Sequence, residues 1–482
     1  MSRRVSDVKG PYESTNVDDV ESKILQHDGQ HSYDLGTPQN KALVRRQDLR
    51  VLPLAALSYF ILNLDRSNIG NAKTMNADTH NDLLSETNMT ERGYIISLMI
   101  FFIIYALAEV PSNYLLKKFA PSTWIALLMF SWGVITIGIS GVNSFATVAV
   151  TRFLLGLFEA GLFPGIIYHM TFWYRAEERS LRIALVLASA TLAGAFGGAI
   201  AFGVGHMNGT LGLVGWRWLF IVEGVPTCLA SVLIYFFLPN YPETASWLST
   251  EEKELAIIRL EGSQSSIRLT WKDFKDVCVE WRLYVHYAIY FAICCPFSSL
   301  AFFTPTITAG LGFNKLQSQL MTVPPYAVAY VVMIIVSWSA DHFNARALHS
   351  AALALVGACG FLASAVISPH AYKARYGCLI VATSGAFSCI PPLLGWLSSN
   401  LHNSAHVGIA IALNIAWGTP GQITGVWIYK GTEKQRGFPT GHWVNAGLLF
   451  FVTVACLGLR AYYQALNKRM LRQDTLGRLF HY

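Results

Sequence analysis

The chain has 482 residues, of which 53% are hydrophobic and only 13% charged. That charged share is about half the usual globular one, and a water-soluble fold cannot hide so much apolar surface, whereas a membrane protein presents it to lipid. The net charge of +7 does not mark a nucleic-acid binder, because most Lys and Arg residues flank apolar runs, where a membrane protein places them. The expected surroundings are a lipid bilayer, with no nucleic-acid partner.

Residues 1–48 are polar, with no apolar stretch after the initial Met. They read as a disordered cytosolic tail and not as a cleaved signal peptide, so the first apolar run serves as its own insertion signal. A helix needs about 20 apolar residues to cross a bilayer. Such runs lie near 50–71, 93–116, 122–142, 147–172, 180–205 and 217–238, and again near 283–306, 318–340, 347–367, 374–396, 405–428 and 441–464. The fold class expected is an all-α membrane protein with twelve transmembrane helices. Its two six-helix halves, 49–238 and 282–465, are joined by a cytosolic central loop, 239–281, and followed by a cytosolic tail, 466–482.

Charge sets the orientation. Arg45, Arg46 and Arg50 precede the first run, Lys117 and Lys118 follow the second, and Arg175, Arg179 and Arg182 follow the fourth. The central loop carries Lys253, Arg259, Arg268, Lys272 and Lys275, and Lys468, Arg469 and Arg472 follow the last run. All fall on one side if both termini are cytosolic. The opposite side holds Asp78, Asp82, Glu86 and Glu91, with Lys373, Arg375, Lys430, Lys434 and Arg436 as exceptions. Two N-x-[ST] sequons, at Asn88 and Asn208, fall on that outer side, where glycosylation can occur.

Charged residues at membrane depth cost a few kcal/mol each and face a cavity or a partner. Asp65 and Arg66 are adjacent in the first run, and Arg152 and Glu159 lie in the fourth. Seven residues are close to two helical turns, so the last two share a face about 10 Å apart. A buried carboxylate has its proton affinity raised by desolvation and lowered by a nearby guanidinium, so it can take up and release a proton as its surroundings change. Arg offers a planar fork to a carboxylate. Asp65 and Glu159 are therefore the expected proton-coupling groups, and Arg66 and Arg152 the expected anion-binding groups. The competing reading of the four is structural ion pairing between helices.

Glu109, near the inner end of the second run, reads as a gating or packing acid. Asp341 and Arg346 form the inner turn between the eighth and ninth runs and read as a gating pair with the other half. Arg217 and Glu223 read as structural anchors of the outer end of the sixth. The second half offers only polar candidates: Tyr290 and Asn414 for substrate binding, and His286 as an interfacial residue. Gly194, Gly197, Gly198, Gly203 and Gly205 let the fifth helix pack closely and slide. The eight cysteines show no C-x-x-C pair and no metal-like spacing, and read as core-filling thiols. Neither metal nor cofactor is expected, and no residue cluster or Gly-rich phosphate loop points to an enzyme.

Five segments carry a resemblance. They are Leu64–Ala72 (LDRSNIGNA), Glu109–Asn113 (EVPSN), Arg152–Pro164 (RFLLGLFEAGLFP), Gly215–Gly224 (GWRWLFIVEG) and Gly395–Asn400 (GWLSSN). Together the chain from about 45 to 470 resembles the anion:cation symporter family of the major facilitator superfamily, in the fungal branch of allantoate, nicotinate and pantothenate permeases. The resemblance implies proton-coupled uptake of a small organic anion at the plasma membrane. It also assigns proton coupling and anion binding to Asp65, Arg66, Arg152 and Glu159. A monomer is expected to suffice. Export of a secondary metabolite or toxin, and nutrient sensing without transport, are the rival readings.

Overall fold

The computed structural model describes residues 37–116, 118–261, 271–401, 404–472 and 480. Most of the expected tail, together with Lys117, Arg268 and most of the C-terminal tail, lies outside the described residues. Helix starts at Pro38, well before position 48, where the polar tail was expected to end.

Twelve long helices follow one another. In the first half they are α1 (Pro38–Thr74), α2 (Glu91–Leu116), α3 (Pro121–Ile139), α4 (Phe145–Thr171), α5 (Ala176–Gly205) and α6 (Gly215–Phe237). The second half holds α7 (Trp281–Ala309), α8 (Leu316–His342), α9 (Arg346–Val366), α10 (Tyr372–Ser399), α11 (Ser404–Trp427) and α12 (Pro439–Arg472). Ten of them, all but α1 and α11, are long and apolar enough by composition to cross a membrane. Of the two exceptions, α1 is polar, with Asn63, Asp65, Arg66, Asn68 and Asn71, whereas α11 is apolar but interrupted by Asn414 and Gln422.

Between residues 47 and 482 the two halves repeat one packing plan. In the first, α3 lies against α6 and α2 against α4; in the second, α9 lies against α12 and α8 against α10. Small residues permit the closest of these approaches. A Cβ on Gly224 would stand 3.0 Å from the carbonyl oxygen of Gly133, so α3 and α6 touch backbone to backbone there. Leu107, Leu229, Phe236 and Trp338 are exposed and large, which fits a lipid boundary and would be costly in water.

The central stretch is not a bare loop. It forms two short helices, Thr250–Glu261 and Trp271–Val279, and residues 262–270 between them lie outside the described residues. Arg259 of the first donates to Glu178 (2.6 Å) and Gln47 (3.4 Å), and Arg182 forms a two-pronged bond to Asp48 (2.6 and 2.8 Å). Two of the basic residues on the inner face thus tie α1, α5 and the central helix together. At the start of α7, Arg282 grips Glu280 (2.6 and 2.5 Å) and holds its carboxyl below the ordinary carboxylate range.

On the outer face Arg217 bonds the carbonyl of Ser140 (2.6 Å), the Asn143 side chain (2.7 Å) and Glu86 (3.3 Å). It therefore anchors two outer loops, as expected. Asn88 is exposed in a left-handed turn (φ 50°), whereas the amide oxygen of Asn208 accepts from the first backbone N–H of α6 (3.0 Å).

Candidate functional site

The charged positions singled out in the sequence converge in the interior of the first half. On α4 the buried positions are Val148, Arg152, Leu155, Gly156 and Glu159, the stripe that a 3.6-residue period produces. Gly156, between the two charges, meets the backbone of Phe101, so α4 sits flush on α2 at this level. On α1 the positions Asp65, Asn68 and Asn71 follow at three-residue spacing and are buried in turn. Asp65, Arg152, Glu159 and Glu223 have only 2%, 1%, 0% and 3% of their surface exposed.

Arg66 donates through Nε to Glu159 Oε2 at 3.0 Å, which makes an interhelical ion pair between α1 and α4. Its guanidinium also lies over the rings of Phe101 (5.1 Å) and Tyr105 (4.9 Å), and one terminal nitrogen has no partner. Asp65 accepts two bonds on Oδ2, from Trp132 Nε1 (3.1 Å) and from the Thr227 hydroxyl (2.9 Å). Arg152 makes no ion pair with either acid, and its Nε and one terminal nitrogen have no partner. The expected shared face on α4 is therefore present, but Glu159 pairs across to Arg66 and not along its own helix.

Three residues here were not singled out for this site: Trp132, Asn68 and Thr227. A fourth, Glu223, was read as an outer anchor and takes a different place. It points into the bundle, where the Asn68 amide donates to its Oε2. Thr227 lies one turn further along α6, and its hydroxyl, which bonds Asp65, also reaches the backbone carbonyl of Glu223 (2.9 Å). The spacing Asp65–Asn68 on α1 and Glu223–Thr227 on α6 is the signal that could have found them.

Residues 55–426 match the Major Facilitator Superfamily. The chain belongs to that superfamily. It is 64% identical over 450 residues to the MFS transporter prlL of Fungal sp. (strain NRRL 50135), covering 92% of this chain and 91% of that one. It is 29% identical over 455 residues to a putative tartrate transporter of Agrobacterium vitis, covering 93% and 98%. Among solved structures it is similar to a bacterial homologue of the human lysosomal transporter Spinster, with TM-score 0.64 and 12% identity, over 89% of this chain and 98% of that one. The protein is a multi-pass membrane transporter of a small molecule and not an enzyme.

In this transporter the halves meet on the side that the charge bias marks as outer. Gly198 of α5 lies against the Gln319 carbonyl, to which an added Cβ would come within 2.6 Å, and Gly194 lies against the Tyr326 ring. Gln319 donates to Thr74 (2.7 Å), and Gly70 lies against the Phe302 backbone. Lys73 pairs with Glu91 (2.6 Å) and lies over the rings of Tyr94 (4.5 Å) and Phe303 (5.3 Å), the second belonging to the other half. Of the five α5 glycines, Gly203 alone has nothing within 4 Å of an added Cβ.

The remaining candidates are distributed as follows. Tyr290 of α7 packs on Gly418 of α11 and has Tyr59 and Tyr105 of the first half as electrostatic neighbours. Asn414, one turn before Gly418, is buried with its amide oxygen unpartnered. Asn414 thus lies in the interior of the second half, whereas Tyr290 lies where the second half faces the first. Glu109 is buried on α2, one turn from Tyr105. Arg346 bonds Asp341 (2.8 Å), the Gly395 carbonyl (2.9 Å) and Ser399 (2.8 Å), so its partners all belong to the second half. His286 is buried against Trp396 (ring centroids 4.9 Å apart) and is not interfacial.

Proposed function

We propose that this transporter is a proton-driven importer of a small organic anion, of the anion:cation symporter type, acting as a monomer at the plasma membrane. The observation that carries this reading is the pair of buried guanidiniums, Arg66 and Arg152, each with an unpartnered nitrogen at membrane depth. A permanent cation held there without full satisfaction is costly unless an anionic ligand completes its bonding. Arg66 and Arg152 take the substrate carboxylate, and Tyr290 and Asn414 present polar groups from the second half. Asp65 and Glu159 carry the coupling proton, because a carboxylate that loses or gains a guanidinium neighbour changes its proton affinity. Glu109, Asp341 and Arg346 serve the gates. The similarity to a putative tartrate transporter agrees in ligand chemistry, tartrate being a dicarboxylate.

The test is uptake of radiolabelled carboxylates by a yeast lacking its own anion permeases. We expect uptake of one compound that is stronger in acid than at neutral pH and abolished by a protonophore. Absence of uptake with the protein at the cell surface defeats the importer, and uptake indifferent to the protonophore defeats the coupling.

A glycan on the outer face belongs on Asn88, whose side chain is free of the helix cap that occupies Asn208. Asn88→Gln removes the glycosidase-sensitive gel shift and Asn208→Gln leaves it. The reverse pattern refutes this assignment.

A further inference from the structure

The buried cluster holds an unbalanced set of charges. Three carboxyl groups, Asp65, Glu159 and Glu223, gather with two guanidiniums, Arg66 and Arg152, in the first half, and a fourth buried acid, Glu109, stands further along α2. With every group ionised the cluster would carry a net negative charge in a region without solvent, which costs several kcal/mol for an unpaired ion. One proton removes that excess, and the bonding says where it sits. Glu159 has the Arg66 guanidinium, and Asp65 has two donors on one oxygen. Glu223 has a single donor, the neutral amide of Asn68, while its own Oε1 and the Asn68 oxygen both stand without a partner. An ionised carboxylate offers only acceptors to that amide, leaving two acceptors orphaned. A protonated one is complementary to it, since the hydroxyl supplies the donor that the amide oxygen lacks.

We propose that Glu223 holds the proton when the outer face of the transporter is closed, in an acid–amide pair with Asn68. Among the described residues no cation bonds Glu223, and its nearest charged neighbour is the Asp65 carboxyl. Asp65 and Arg66 come from α1, while Tyr94 and Tyr105 on α2 and Arg152 and Glu159 on α4 complete the cluster; α3 has no ionisable residue, and Glu178, Arg179 and Arg182 of α5 lie at its opposite, inner end. The Thr227 hydroxyl, within reach of Asp65 Oδ2 and of the Glu223 backbone carbonyl, fixes the Asp65 carboxyl against the turn of α6 that carries Glu223. The inference deepens the proton-coupled reading and rests on it only for the proton's role in transport.

Infrared difference spectroscopy of the purified full chain in lipid nanodiscs at neutral pH tests the assignment without a substrate. A protonated buried carboxyl gives a C=O stretch that surface carboxylates do not. We expect that band in the wild-type protein, lost in Glu223→Gln, retained but displaced in Glu223→Asp, and retained in place in Asp65→Glu and Glu159→Asp. Glu109 is subtracted by recording the series in a Glu109→Gln background. Asn68→Leu displaces the band, because it removes the amide partner. No band, or one displaced by changes at Asp65 or Glu159 and not at Glu223, overturns the proposal. A band that follows Glu223 together with protonophore-insensitive uptake upholds the assignment and defeats the coupled transport reading.

Discussion

Glu159→Gln abolishes transport and destabilises the first half. The substitution keeps the side-chain shape but removes the only carboxylate bonded to Arg66, a contact of 3.0 Å across α1 and α4. Breaking a buried ion pair from one side leaves an uncompensated charge and costs about 3–5 kcal/mol. Arg152 has no partner that could share the load. The measurement is a thermal unfolding midpoint in detergent alongside uptake of the compound identified in the carboxylate screen. A double variant, Arg66→Gln with Glu159→Gln, removes both charges together. We expect it to regain most of the lost midpoint and none of the transport. If the single variant keeps its midpoint and its uptake, the pair is idle in both stability and function.

Gly198→Val holds the outer face open. A Cβ at this position would come within 2.6 Å of the Gln319 carbonyl, a backbone group that cannot swing aside as a flexible side chain could. The Gln319–Thr74 bond at 2.7 Å would break with the same displacement. A penalty of about 1.4 kcal/mol on closure already shifts that equilibrium tenfold. We expect an outward-open transporter with uptake reduced on the order of tenfold, and faster labelling of an Asn71→Cys probe by an impermeant maleimide. Gly203→Val is the control on the same helix, because its Cβ meets nothing within 4 Å. Equal effects of the two substitutions would show that the loss comes from helix propensity and not from the seam.

The two variants bear on the same cycle. The Arg66–Glu159 pair lies in the interior and the glycine seam on the outer side, so proton release and closure are separable by experiment. A transporter that alternates access needs both a group whose protonation changes and a contact surface that forms and parts. Lys73, set between Tyr94 of its own half and Phe303 of the other, is a polar element of that surface beside the Gln319–Thr74 bond.

The sequence by itself determined the number and order of the spans. Each must satisfy its backbone internally over a fixed thickness of lipid, so a run of apolar residues is a sufficient signal. It also determined which charges are unusual, because Asp65, Arg66, Arg152 and Glu159 stand where lipid-facing residues would be apolar. The shared face of Arg152 and Glu159 followed from helical period alone. Partnership could not follow from period. Glu159 pairs with Arg66, 93 positions away in the chain, and Asp65 is held by Trp132 and Thr227 from two further helices. Glu223 resembles an end-of-helix anchor in sequence, since Arg217 nearby is one, yet it turns inward to Asn68. Asp341 and Arg346 stay within one half, where spacing permitted a contact across the two. In the same way only three of the five α5 glycines, Gly194, Gly198 and Gly205, lie against α8, at Tyr326, at Thr322 and Gln319, and at Leu316. Period fixes which face a residue occupies on its own helix, but the rotation and depth of the neighbouring helices decide what that face meets, and those are set by packing summed over the whole bundle.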